Sequence, residues 1–306
     1  MSSKFSFSEI HKKRKRPLVL DGATGAILQN DLNEPTSPLW TSELTLTKPQ
    51  KIIDLHKNYI NAGADIITTN TFGTNPTAIR LAGSDLDSKK LVGESVKLAR
   101  EARGDSEILI AGSNPPAEDC YKQARSISEE ELYANHESHI DYLWESGVDF
   151  ILNETMSHFD EIRAVIRICT LKNIPFIISL YLDDDLELLR GGTLFDSMVY
   201  IQEFAPIALG INCISPAVFE KIDLQRVSKL KWGFYLNCGS GNVTDSVIDC
   251  GVSPPDYIKE VSKHMEYDPV FIGSCCGSNS SHTKAIKDYL DEYLFKLKLR
   301  LKSTLG

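Results

Sequence analysis

The sequence is short of the features that membranes, nucleic acids and secretion require. Its longest predominantly apolar stretch, Phe176 to Leu182, falls far below the ~20 residues of a membrane-spanning helix, so no membrane association is expected. Positive charge is the scarcer sign. The 33 Lys and Arg stand against 42 Asp and Glu, a net charge of −9. Such a surface repels a phosphate backbone and argues against a nucleic-acid partner. The N-terminal MSSKFSFSEIHKKRKR has no apolar core of the kind a secretory signal carries. Its run Lys12–Arg16 has two readings: a nuclear-localisation type of signal, or a solvated, poorly ordered basic leader over residues 1–16.

Several motifs are also missing. There is no Gly-x-Ser-x-Gly, no phosphate-binding Walker loop and no His-Glu-x-x-His, which removes the commonest hydrolase and nucleotide-binding chemistries. What is present is cysteine, seven times, an odd count in a chain too large to need a disulfide framework. Thiols without a signal point to the reducing cytoplasm. The Asn-x-Ser/Thr matches at Asn153, Asn242 and Asn279 then read as chance.

A length of 306 residues suits either two domains or one large barrel. Periodicity decides between them. Short apolar runs recur at Leu18–Leu20, Asp65–Thr69, Ile108–Ala111, Val148–Leu152, Phe176–Leu182, Ile207–Ile211, Gly233–Leu236 and Val270–Ile272. Each is nearly continuous in apolar character, as parallel strands covered on both faces must be. Helical patterns lie between them near 49–62, 88–103, 128–144, 158–173, 216–230, 254–265 and 280–299. Eight β-then-α units predict a single (β/α)8 barrel over residues 17–306. An open doubly wound sheet is the alternative, but no Gly-x-Gly-x-x-Gly follows the first run.

In a barrel the chemistry sits at the C-terminal ends of the strands. There the sequence places Asp21-Gly22-Ala23-Thr24, Thr69-Asn70, Ser113-Asn114, Asn153-Glu154-Thr155, Asn212-Cys213, Asn237-Cys238 and Cys275-Cys276. Cys213 ends the sixth strand and Cys275-Cys276 the eighth, close enough to share a metal. Three thiolates would leave one tetrahedral position open, as in a catalytic zinc site. Buried apolar cysteines are the competing reading. Cys238, at the end of the seventh strand, is either a fourth ligand or a bystander, the bystander reading being preferred, and Cys120, Cys169 and Cys250 are expected to be packing residues. The run Asp183–Asp185 reads as a solvated loop. His136 and His139 lie on a helix outside the barrel and are expected to face solvent.

Taken in order, Leu20-Asp21-Gly22-Ala23-Thr24-Gly25, Thr69-Asn70-Thr71-Phe72, Asn153-Glu154-Thr155, Gly210-Ile211-Asn212-Cys213, Asn237-Cys238-Gly239 and Gly273-Ser274-Cys275-Cys276-Gly277 resemble the homocysteine S-methyltransferases from about residue 17 to residue 290. The resemblance implies a zinc-dependent barrel, with Cys213, Cys275 and Cys276 as ligands of Zn2+. It further implies that Asp21, Gly22, Glu154 and Asn212 bind homocysteine, and that Thr24, Asn70 and Asn237 serve the donor side. The partners are then small molecules: homocysteine and a sulfonium methyl donor, S-methylmethionine or S-adenosylmethionine, giving methionine. Another thiol or selenol acceptor, or a divergent zinc- or thiol-binding barrel, are the alternatives. Nothing indicates an oligomer, and monomer is the default. Three departures from the family pattern concern the surroundings of the site: Gly277 where many members carry arginine, Leu236 where proline is usual, and Ser113-Asn114-Pro115-Pro116-Ala117 in place of a glycine-rich stretch.

Overall fold

A computed structural model describes residues 5–30, 37–240 and 248–304, so the Asn242 match lies outside the described residues. The eight apolar runs become eight strands: β1 (Leu18–Val19), β2 (Ile66–Thr68), β3 (Leu109–Asn114), β4 (Phe150–Met156), β5 (Phe176–Leu180), β6 (Ala208–Asn212), β7 (Trp232–Leu236) and β8 (Phe271–Ser274). Sequence neighbours from β2 to β8 pair in parallel, and β8 pairs with β1. The parallel bridge Leu20–Ile66 closes the ring, giving a single (β/α)8 barrel.

Alternation along each strand explains why the runs are apolar throughout. Leu20, Ile66, Leu109, Leu152, Ile177 and Phe271 point inward and fill the barrel. Val19, Ile67, Ile110, Ile151, Ile178 and Ile272 point outward beneath the helices. Both faces are therefore dry, which is the condition for a parallel sheet. The helices Pro49–Ala62, Ser88–Arg103, Glu129–Ser146, Phe159–Leu171 and Pro254–Lys263 stand where the period placed them. Ser128 and Glu131 form a capping box at one start, and Gly147 stops that helix in the left-handed region. The helix expected over 216–230 is two short pieces, Pro216–Phe219 and Leu224–Val227, because Asp223 caps a second N-terminus. The last helix runs Ser280–Thr304.

For the described part of the leader, from Phe5 on, the expectation of poor order needs correction. Residues Phe7–Arg14 form a helix whose capping box is Ser6 with Glu9, and Phe7 and Ile10 are buried. Phe7 meets Phe150 of β4 edge to face at 6.1 Å, so this helix seals the lower end of the barrel. The basic run is tied down as well. Arg14 and Arg16 both donate to the buried Asp65 carboxylate at 2.6 Å, and Asp65 also accepts from the Val19 N–H. The apolar members of this segment are too few to show a period among so many charges. Among the described residues no helix is long and apolar enough to cross a membrane.

Candidate functional site

The C-terminal mouth of the barrel opens into a cavity of about 310 Å³. Asp21, Thr68, Ser113, Glu154, Cys213, Tyr235 and Cys275 reach it from seven different strand ends. At its base sit three cysteine sulfurs. Cys213 follows β6 with a left-handed φ of 56°, an unusual conformation for a residue with a β-carbon. Its N–H donates to the carbonyl of Tyr235, and that of Cys275 donates to the carbonyl of Leu236 at 2.8 Å. These bonds draw the ends of β6 and β8 toward β7. The sulfurs of Cys213, Cys275 and Cys276 consequently lie within 4.8 Å of one another. Cys213 and Cys275 are joined as a disulfide, an oxidised form in which neither is a thiolate, so both can hold a metal only after reduction; the Cys275 and Cys276 sulfurs are 3.9 Å apart.

In its reduced form the donor set fits a metal. A tetrahedral zinc–thiolate centre with bonds of about 2.3 Å has sulfur–sulfur edges of about 3.8 Å. No histidine or carboxylate joins the group among the described residues, so a fourth position is open. Three soft donors suit zinc better than magnesium or calcium. Cys238 is outside the group. It is buried, and its main chain holds the turn by donating to the Cys276 carbonyl at 2.8 Å and accepting from Gly251 at 2.7 Å.

Across the cavity stand two carboxyls. Asp21 is buried and accepts from the Thr68 N–H at 2.7 Å and from the Thr68 hydroxyl. Glu154 accepts from the Ser113 hydroxyl. It is turned inward at a register break in β4 between Asn153 and Met156, where Thr155 takes a φ of 59°. Burial pushes Glu154 up to about 7 and Asp21 well above the usual carboxylate range. Among the described residues no Lys, Arg or His lines this cavity, so neither carboxyl has a counter-charge there. The arrangement can therefore take up a cation.

The outer wall is aromatic and acidic. Trp40 and Phe72 meet edge to face at 5.7 Å, and Tyr121, Glu118, Asp119 and Cys120 come from the loop after β3. Trp40 lies so close on Gly25 that a β-carbon there would be 2.4 Å from the indole. The loop is strapped down at both ends. The Ala117 N–H donates to Glu161 at 2.7 Å, and Arg125 grips Asp160 through two bonds of 2.7 and 2.8 Å.

Beneath this loop the solvent-facing assignment of His136 and His139 is corrected: both are fully buried. Their helix packs that face on β3 and β4. His136 bonds Glu161 at 2.7 Å and contacts Asn114, while His139 bonds Asn114 and Thr74 at 2.8 Å each. Burial holds His139 down at about 3, so it stays neutral.

Gly22, Thr24 and Asn70 line the cavity, as Asp21 and Glu154 do. Asn212 and Asn237 are not among the residues lining it. Asn212 spends its carboxamide on Thr155 and Ser179, tying β6 to the β4 break. Asn237 accepts from the Gly239 N–H at 2.7 Å. Cys169 is buried in the packing, but Cys120 is in the cavity wall and Cys250 is exposed. Asp183 caps its own loop through the N–H groups of Asp185 and Glu187. Sequence reasoning passed over Trp40, Tyr121 and Tyr235. For Tyr235 a signal existed: it is a hydroxyl-bearing residue within an otherwise apolar strand run. Trp40 and Tyr121 sit in loops and offered none.

Comparison with known proteins gives a consistent picture. The family model described as homocysteine S-methyltransferase matches residues 18–290. The maize protein homocysteine S-methyltransferase 2 is 26% identical, over 90% of each chain. A selenocysteine Se-methyltransferase from Brassica oleracea var. italica is 24% identical, over 92% of this chain and 91% of its own. Among solved structures, the metallated form of the homocysteine methyltransferase MmuM from Escherichia coli superposes with a TM-score of 0.77 at 26% identity. It covers 93% of this chain and 100% of its own.

Proposed function

This chain belongs to the homocysteine S-methyltransferase family, and on that premise we propose that it carries a methyl group from a sulfonium donor to the sulfur of homocysteine, giving methionine, with Zn2+ held by Cys213, Cys275 and Cys276. One observation carries the reading: the three-thiol group and two carboxyls without a counter-charge face the same cavity. That pairing matches the two ends of homocysteine, a thiol and an ammonium. Zinc in the three-thiol site would convert the substrate thiol, otherwise mostly protonated near pKa 8.5, to the nucleophilic thiolate.

The remaining work is positioning. Asp21 and Glu154 receive the ammonium, which fixes the reach of the thiol toward the cysteines. Trp40, Phe72 and Tyr121 offer ring faces and edges, and Glu118 and Asp119 offer charge, to a cationic donor. Attack on a sulfonium methyl neutralises charge, so a cavity with a mostly apolar wall suits the transition state, and alignment of the two sulfurs supplies much of the rate. No side chain need act as a general base. The thiol site also fits a reducing cytoplasmic setting. A selenol acceptor is the second reading, favoured by the similarity to a selenocysteine-methylating relative.

The test is product formation. Purified protein is given homocysteine with S-methylmethionine or S-adenosylmethionine, and selenocysteine in parallel. Methionine from at least one donor is expected. Absence of any methylated product overturns the reading.

A further inference from the structure

The floor of the cavity holds a polar group that this reading leaves idle. Tyr235 lies on β7 between Asn212 of β6 and Gly273 of β8. Its position in the ladder points the side chain into the barrel, where the ring packs near Phe271 at 6.3 Å between centroids. Every other buried member of that interior cluster is Ala, Leu, Ile or Phe. Tyr235 is only 3% exposed, and its hydroxyl oxygen has no partner in good hydrogen-bond geometry, although Ser179 and Glu154 lie near enough to influence it.

An unpaired buried hydroxyl costs about 1–3 kcal/mol. Packing alone would be served better by phenylalanine. The hydroxyl is thus an orphan with a direction, since Tyr235 lines the same cavity as Asp21 and Glu154. It also feels the charge of both carboxyls, and those two feel one another.

We propose that the Tyr235 hydroxyl is the third ligand of the substrate ammonium, forming with Asp21 and Glu154 a three-oxygen cradle that selects thiols bearing an amino group. The inference rests on the reading that Asp21 and Glu154 receive the ammonium. An ammonium carries three N–H donors in a tripod. Asp21 and Glu154 supply two acceptors while also accepting from Thr68 and Ser113. The phenol oxygen supplies the third. Burial keeps Tyr235 protonated, so it adds a directed lone pair without a third negative charge. Its own proton remains free to turn toward Ser179 or Glu154, which face it. A site built to bond a polar substrate group rejects an analogue lacking that group, because its own buried atoms are left unpaired.

The experiment is calorimetric binding of homocysteine and of 4-mercaptobutanoate, which lacks the amino group, to the metal-loaded wild type and to Tyr235→Phe. A hydrogen bond to a charged group is worth roughly 10- to 100-fold in Kd. Tyr235→Phe is expected to weaken homocysteine by that factor and to leave 4-mercaptobutanoate unchanged, with metal content and Tm preserved. If the wild type prefers homocysteine and the variant keeps the same preference, the cradle is overturned and the roles of Asp21 and Glu154 stand. Equal losses for both thiols also overturn it, because the tyrosine would then only be supporting the site. If the wild type binds the two thiols equally, or binds neither, the ammonium assignment falls together with the cradle.

Discussion

Gly277 meets Gly239 backbone to backbone: a β-carbon on Gly277 would stand 2.4 Å from the Gly239 Cα and 2.5 Å from its nitrogen. Gly277 also has a φ of 76°, in the left-handed region. It ends the turn that aims Cys275 and Cys276 into the cavity, and its contact presses that turn onto the Cys238-Gly239 segment. The departure from the arginine of many family members therefore has a local cause. In this chain no side chain fits there.

Gly277→Ala should consequently displace the metal turn. The left-handed conformation alone costs about 1–2 kcal/mol with a β-carbon, and the collision adds to it. The expected outcome is lower metal occupancy and lower Tm, read by elemental analysis and thermal melting. A variant with full metal content and unchanged Tm contradicts it.

Cys275→Ser and Cys276→Ser should each abolish stoichiometric zinc and methyl transfer while the circular dichroism of the barrel persists. Neither cysteine is one of the buried residues that fill the barrel, although Cys275 packs against them from the cavity side. Zinc retained at one equivalent in either variant would remove that cysteine from the ligand set.

The pH dependence follows from Glu154, which burial raises from the ordinary 4.5 to about 7. Receiving an ammonium needs the carboxylate, so homocysteine binding should strengthen as pH rises through about 7. Stability of the ligand-free protein should run the other way. The folded state holds this proton more tightly than the unfolded chain, so the contribution is complete below about 4.5 and is lost as pH climbs through about 7. Glu154→Gln should flatten this component in both binding and melting profiles. Profiles identical to wild type would assign the titration elsewhere.

The buried pair His136–Glu161 holds the loop that carries Glu118 to Tyr121. His136→Ala removes a buried hydrogen-bond partner of the Glu161 carboxylate, which costs about 1–3 kcal/mol. Urea unfolding should show a lower midpoint, and KM for the methyl donor should rise as the loop loosens. A midpoint within error of wild type contradicts this role.

The barrel was legible because each strand is dry on both faces, so apolar runs stood out against polar loops. The thiols and the two carboxyls were legible because they end strands, where position alone implies a shared mouth. The helix Phe7–Arg14 was hidden, since its burial rests on little more than Phe7 and Ile10 amid charges. His136 and His139 were misplaced for a related reason. Their helix is outside the barrel, yet its inner face buries these two histidines beside Ile140 and Leu143, where Asn114, Thr74 and Glu161, partners distant in sequence, satisfy them. Asn212 and Asn237 show the converse, strand-end carboxamides whose bonds go to the scaffold.

X-ray absorption at the zinc edge of the purified protein, with and without homocysteine, tests most directly whether these three thiols hold a metal that receives the substrate sulfur. The expected spectrum without substrate has three sulfur neighbours at about 2.3 Å, rising to four when homocysteine is added. A zinc shell without sulfur, or a sulfur count that saturating homocysteine leaves unchanged, would contradict it.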